Sequence, residues 1–284
     1  MKIKRTCFVI FTLCLILFST SVSNQQNLDE ENIKKLLSNE TIVQNKDYIK
    51  LKKKVVKKFS KTKPTQWGMF IPGVKTQLDT NDKVIALTFD ACGNPGSFGY
   101  DAELIDFLIK ENIPATLFLN GKWIDANLPI VEQLINNPLF EIGNHGTEHK
   151  PCSVDLRSAY GIKGTKNVEE VFDEIELNGR KIELLTKKKP KFFRSGTAHY
   201  DDVAVKIANY LGYEIVNFTI NGDYGATASK EQVINNLLKA KNGDIILLHM
   251  NHPEKETAEG VMLVIPQLKQ LGYKFVKLSD YPLK

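Results

Sequence analysis

Cysteine is scarce in this chain, and half of what there is sits in its first residues. Of four cysteines in 284 residues, Cys7 and Cys14 lie near the amino terminus and only Cys92 and Cys152 remain beyond it. Two thiols do not make a disulfide scaffold, so stability must come from a packed core. Long apolar runs are also missing. The stretch from Cys7 to Phe18 falls well short of the roughly 20 residues a spanning helix requires. No internal repeat of the kind that builds solenoids is present. Several catalytic signatures are absent too. The glycines of "CGNPGSFG" lack the GK[ST] of a phosphate loop, and "PGSFG" is only half of a nucleophile elbow. The histidine pair in "HGTEH" has no glutamate after its first member, which excludes the HExxH protease motif.

Composition is otherwise ordinary for a globular protein, with 42% hydrophobic and 25% charged residues. The net charge of +5 is unevenly spread. Lysines 50, 52, 53, 54, 57, 58, 61 and 63 crowd into "KLKKKVVKKFSKTK" with no acid among them, and Lys2, Lys4 and Arg5 lie at the start. Without these the rest of the chain is net negative, and a folded domain of that sign offers no basic face to nucleic acid. Lys2, Lys4 and Arg5, the apolar run and the small residues around Ser23 have the layout of a secretory signal peptide over residues 1–23. Export to the periplasm, cell envelope or medium follows. Residues 24–65 are expected to form a polar, partly helical, lysine-rich stalk. Its lysines are either a solvated linker or a loose electrostatic tether to an anionic envelope polymer or membrane surface. The main domain is expected over 66–284.

Within that domain short apolar runs alternate with helical patterns: "VIALTFD", "ATLFLN", "FEIGNH", "KFFRSG", "EIVNFTI", "DIILLHM" and "YKFVKL" read as strands, with amphipathic stretches between them. Such alternation predicts βα units and a parallel sheet, and seven steps favour a barrel or near-barrel.

The chemically distinctive residues fall where those strands end: Asp90 after "ALTF", His145 after "EIGN", Arg194 after "KFF", Asp223 after "NFTI" and His249 after "DIILL". Catalytic groups of parallel α/β folds collect at that end of the sheet. His145 and His149, four apart, can meet one cation if the chain winds there; a hydrogen-bonded surface pair is the alternative. Asp223 can hold the imidazole of His249 protonated, against the alternative of a packed core histidine. Asp90 and Arg194 are either a structural ion pair or an oriented general base. Cys92 remains open as a nucleophile with a histidine base.

Five ordered stretches resemble the polysaccharide deacetylases, the NodB-homology family 4 carbohydrate esterases, over roughly residues 84–278. "TFDACG" is similar to that family's TFDDG segment and "HGTEH" to its H-[ST]-x-x-H segment; "FFRSGTAHY" resembles R-x-P-[YF]-G, "NFTINGDY" resembles W-x-x-D-x-x-D-W, and "ILLH" its closing L-x-H. The resemblance implies a distorted (β/α) barrel and a divalent metal, zinc or a similar ion. It also implies an N-acetylated polysaccharide substrate such as peptidoglycan. By position it makes Asp90 the general base, His145 and His149 metal ligands, and His249 the general acid. Asp223 would orient His249, and Arg194 would orient Asp90. Leu247 would line the acetyl pocket, and Tyr224 stands where the family has a substrate-groove tryptophan. The departure is Ala91, in place of the aspartate that is the family's third ligand. Cys92 could supply a thiolate instead, Asp90 could move onto the metal, or water could fill the place. A non-catalytic, glycan-binding relative is the remaining reading.

Overall fold

The computed structural model describes residues 31–284, so the expected signal peptide lies outside the described residues. Two compact units divide the chain, one through Tyr48 and one from Ile49 to Lys284. In the first, a short helix at Asn39–Val43 is capped by the Ser38 hydroxyl, which accepts from the Thr41 amide at 3.2 Å. No helix among the described residues is long and apolar enough to cross a membrane.

In the second unit all seven expected strands form: β1 (Val84–Ala91), β2 (Ala115–Leu119), β3 (Phe140–Asn144), β4 (Phe192–Phe193), β5 (Glu214–Val216), β6 (Ile245–His249) and β7 (Lys274–Val276). Every pairing among them is parallel. β1 is buried at all its positions, as a strand covered on both faces must be. The helices α1 (Ala102–Lys110), α2 (Leu128–Ile135), α3 (Val168–Thr186), α4 (Asp202–Tyr210), α5 (Lys230–Leu237) and α6 (Thr257–Gln270) intervene. Their starts are set locally. Asp101, Asn167 and Asp201 each accept a backbone N–H in the first turn of α1, α3 and α4, and Ser229 with Gln232 forms a capping box on α5.

The sheet runs Ile220–Asn221, β6, β1, β2, β3, β4, β5, Val74–Lys75. Its first strand and its next-to-last are brought close by the chain itself, because only residues 217–219 separate β5 from Ile220–Asn221. Such a link spans at most about 14 Å, so the sheet curls into a barrel. The distortion lies at β1. There β7 pairs with Val84–Ala86 and β2 with Thr88–Ala91, sharing one edge of the strand.

Register places the site. His249 pairs with Asp90, and Asp90 with Phe118 on the next strand. Side chains alternate along a strand, so the inner face reads Val84, Ala86, Thr88, Asp90 on β1 and Ile245, Leu247, His249 on β6. Val84, Ala86, Ile245 and Leu247 join Phe118, Phe192, Val216 and Phe218 in one buried cluster. Each inner row is apolar at its start and turns polar toward its carboxyl end.

The compact unit begins earlier than residue 66. Helical backbone over Lys46–Phe59 carries Val55, fully buried, and Phe59, whose ring meets Tyr210 of α4 edge-on at 5.8 Å. Lys52 pairs with Asp173 of α3 at 2.6 Å. The lysine run therefore includes one helix face packed on the barrel, because Val55 and Phe59 recur at helical spacing among the lysines.

Candidate active site

Arg194, just past β4, has no exposed surface. Its guanidinium donates to Asp90 Oδ1 at 2.8 Å, to Thr88 Oγ1 at 3.0 Å and to the carbonyls of Val216 and Asn217 at 2.9 and 3.0 Å. It lies 4.2 Å from the Phe118 ring centroid. A planar cation held on four acceptors and an aromatic face cannot swing away, so Asp90 is fixed as well. Burial alone would raise the Asp90 carboxyl, but His145, Arg194 and His249 outweigh it and hold the group below its ordinary value.

His145 follows β3 and is buried. Its Nδ1 lies 3.0 Å from the Arg194 carbonyl, which can only accept, so Nδ1 carries the proton and Nε2 presents a lone pair. Burial lowers its pKa in spite of the Asp90 charge, which favours the neutral ring. That lone pair faces Cys92 Sγ at 3.6 Å and Asp90 Oδ2 at 3.5 Å, an arrangement of electron-rich atoms suited to a cation. His149 meets the His145 ring edge-on at 5.0 Å. Asn94 holds its Nδ1 at 3.1 Å, and its Nε2 is buried without a hydrogen-bond partner. One donor atom from each of Cys92, His145 and His149 lies within 4.8 Å of the others, a donor set that suits zinc. Among the described residues this is the one such cluster.

"HGTEH" is not a helical turn; it winds as a loop, with Gly146 and His149 in the left-handed region at φ 75° and 61°. Glu174 of α3, buried beneath it, organises this path. Its carboxylate accepts from the Glu148 amide at 2.9 Å and the Lys150 amide at 3.1 Å. Burial pushes the Glu174 carboxyl up to about 7. On the other side, Gly196 packs so tightly on His149 that an added Cβ would stand 2.5 Å from its backbone and ring. That contact accounts for glycine in "RSGT".

Cys92 lies two residues past Asp90 and returns to the cavity side, whereas Ala91 between them points away and is fully buried. Burial would raise its thiol, but His149 and His249 outweigh burial and bring it down to about 7. Across the site, Asp223 accepts from the His249 amide at 2.7 Å, engages His249 Nδ1 at 2.9 Å and accepts from Thr257 Oγ1 at 3.1 Å. Burial works against the charged imidazole of His249, yet the Asp223 carboxylate raises its pKa well above the ordinary value. Asp223 itself is held low, chiefly by His249 against its own burial.

These groups share a cavity of about 520 Å³ whose lining includes Asp90, Cys92, His149 and His249. Leu247 and Phe218 form an apolar wall, and Tyr224 lines the rim, half exposed. Arg194 and Asp223 stand behind the lining and His145 beneath it. Sequence reasoning missed Asn94, Glu174, Tyr160 and His252. Glu174 had a signal: it falls on the apolar stripe of α3 between Val171 and Ile175, where a charge needs a buried partner.

Residues 77–216 match the polysaccharide deacetylase profile. A peptidoglycan-N-acetylglucosamine deacetylase from Bacillus cereus is 29% identical over 211 residues, covering 73% of this chain and 92% of its own. Among solved structures, a CE4 family pseudoenzyme from Bacillus anthracis is 25% identical with a TM-score of 0.60, covering 75% of this chain and 69% of its own. A mutant of that pseudoenzyme with restored enzymatic activity is 26% identical, again with a TM-score of 0.60, over 75% and 72%. Barrel, ordered motifs and matches agree on a polysaccharide deacetylase domain over residues 77–216, in a divergent form with Ala91 where the TFDD segment has its second aspartate.

Proposed function

We propose that this protein is a metal-dependent N-deacetylase that hydrolyses the acetamide of N-acetylhexosamine units in an envelope polysaccharide such as peptidoglycan, acting outside the cytosol after loss of residues 1–23. The observation that carries the reading is the buried Cys92, His145 and His149 cluster, which adjoins Asp90 and His249 at one cavity. These three residues would hold the ion, zinc by the softness of their donors, and leave a fourth position open. When bound, such an ion polarises a carbonyl and makes water more acidic.

The protein's own groups do the rest. Asp90 is the base: Arg194 immobilises Oδ1, and the low pKa keeps the carboxylate ready to accept a proton from water at neutral pH. His249 is the acid. With Nδ1–H given to Asp223, the other ring N–H is the one that protonates the leaving amine, and, against burial, the pKa raised by Asp223 and by Cys92 keeps that proton in place. Asp223 holds His249 through both of its oxygens, Oδ1 on the ring Nδ1 and Oδ2 on the backbone amide. Leu247 gives the acetyl methyl an apolar wall, and Tyr224 offers a ring to the sugar. Exposed lysines of the Lys46–Phe59 helix, such as Lys53, Lys54 and Lys57, give a surface for an anionic polymer.

The test is acetate release from purified peptidoglycan by metal-stripped protein, before and after zinc is restored. Release only with zinc, abolished in His145→Ala, is expected. The second reading, a glycan binder without catalysis, is favoured by Ala91 and by the likeness to a pseudoenzyme. Glycan binding without acetate at any zinc level would establish it.

A further inference from the structure

Residues Ser158–Ala159 and Ile162–Lys163 pair as a small antiparallel hairpin, Ser158 opposite Lys163 and Ala159 opposite Ile162. Its turn is therefore two residues long, Tyr160-Gly161, and both have positive φ, 52° and 76°. That is the backbone of a type I′ turn, whose first position favours asparagine, aspartate or glycine. A bulky side chain is strained there. Nothing about the turn calls for tyrosine, and the ring is not there to be buried. Tyr160 is 74% exposed, more than any other large hydrophobic side chain among the described residues.

A second left-handed turn carrying a tyrosine, not a hairpin this time, lies on the same cavity. Tyr224-Gly225 follows the short strand Ile220–Asn221, again with both residues at positive φ, 53° and 74°, and with Tyr224 50% exposed. Both tyrosines line the cavity that holds Asp90 and His249. Each ring is steadied by a neighbour. The Tyr160 ring stands edge-on to His199 at 5.3 Å with its hydroxyl 3.7 Å from Met69 Sδ, and the Tyr224 hydroxyl lies 3.3 Å from Asn236 Oδ1. Two strained turns from separate loops thus display aromatic faces at the rim of one polar site. Strain retained at a cleft signals a use for the side chain it displays.

We infer that Tyr160 is a stacking platform for a sugar ring of the glycan, paired with Tyr224, so that the site holds an oligosaccharide across more than one residue. This rests on the glycan-deacetylase reading above. Pyranose rings carry apolar C–H faces that lie on aromatic rings, while their hydroxyls stay in water at an open rim. A ring on each of two rim loops adds grip for a chain of sugars that a monosaccharide cannot use.

The test exploits the turn. Tyr160→Asn gives the type I′ position a preferred residue, so the hairpin should melt no lower than in the wild type while the ring is gone. Binding of β-1,4-linked N-acetylglucosamine dimers and pentamers is measured calorimetrically on metal-stripped protein, where nothing is hydrolysed. Pentamer affinity should fall roughly tenfold in Tyr160→Asn, as loss of one aromatic contact implies, with a smaller loss for the dimer and recovery in Tyr160→Trp. Unchanged pentamer affinity in Tyr160→Asn would overturn the inference, and so would a wild type that binds neither oligomer. Pentamer binding that depends on Tyr160, in a protein whose zinc-loaded form releases no acetate, would support the platform while refuting the catalytic reading.

Discussion

At Cys92, burial and two imidazoles pull the thiol in opposite directions, and the outcome of about 7 puts its proton within physiological reach. A metal that binds sulfur must displace that proton. Zinc affinity should therefore fall about tenfold per pH unit below about 7 and flatten above it, read by competition with a chromophoric chelator. Cys92→Ser should remove that slope, and cobalt-loaded wild type should show a thiolate charge-transfer band that the variant lacks. A cobalt spectrum without the band would mean that Asp90 or water takes the third place. Across the cavity, the Asp223–His249 pair has the opposite dependences built in. Asp223 is held below its ordinary 3.8, so its contribution to stability exists above that pH and is lost as pH falls through the lower folded value. His249 is raised above 6.5, so its contribution is full below that pH and is lost as pH rises through the folded value. Asp223→Asn should cost about 3 kcal/mol near neutral pH, since it leaves a buried imidazolium unpaired. The deficit should shrink toward both extremes of pH, and the alkaline limb of the rate profile should move to lower pH. A thermal-denaturation series across pH checks the first expectation and a pH–rate profile the second.

Secondary elements carry the site unequally, and the sequence reveals them unequally. β1 and β6 are legible because their runs are mostly apolar and lead into Asp90 and His249; parallel pairing then brings those residues level. β4 is only two residues long, and Val74–Lys75 and Ile220–Asn221 are equally short. For such fragments neighbouring strands, more than local periodicity, decide the backbone. The third-ligand question was open in sequence for a similar reason. Which atom faces the histidines depends on the path of the chain between Ala91 and Gly93, and the neighbours that set it come from elsewhere in the chain. Glu174 shows how far such control reaches. From α3 it holds the amides of Glu148 and Lys150, and so fixes the backbone on both sides of His149. Glu174→Ala should leave those amides without their acceptor, loosen the loop and weaken zinc binding 10- to 100-fold, as loss of a supporting group around a metal site commonly does. Faster amide exchange at residues 146–150 should accompany the loss. Wild-type zinc affinity in the variant would reduce Glu174 to a packing residue.

For the molecule as a whole, the helix ahead of residue 66 sets how much of the chain melts with the barrel. Charge pattern argues for a detached stalk, since eight lysines without an acid repel one another and stay hydrated. Packing argues otherwise from Ile49 onward, because Val55 is fully buried, Phe59 packs on Tyr210, and the Lys58 ammonium sits 5.2 Å from the Tyr210 ring centroid. Magnitudes separate the two views. An exposed lysine on a solvated helix contributes a few tenths of a kcal/mol, whereas truncating a packed phenylalanine costs about 3 kcal/mol. In a unit of this size that is roughly 6–12 °C in thermal midpoint. Phe59→Ala should therefore lower the midpoint of the main transition by that amount, while Lys57→Gln should leave it in place. If Phe59→Ala melts with the wild type, the helix is a stalk after all. If it melts early as part of one cooperative transition, the helix is an outer layer of the barrel, and a fragment beginning at residue 66 would be a destabilised form of the enzyme.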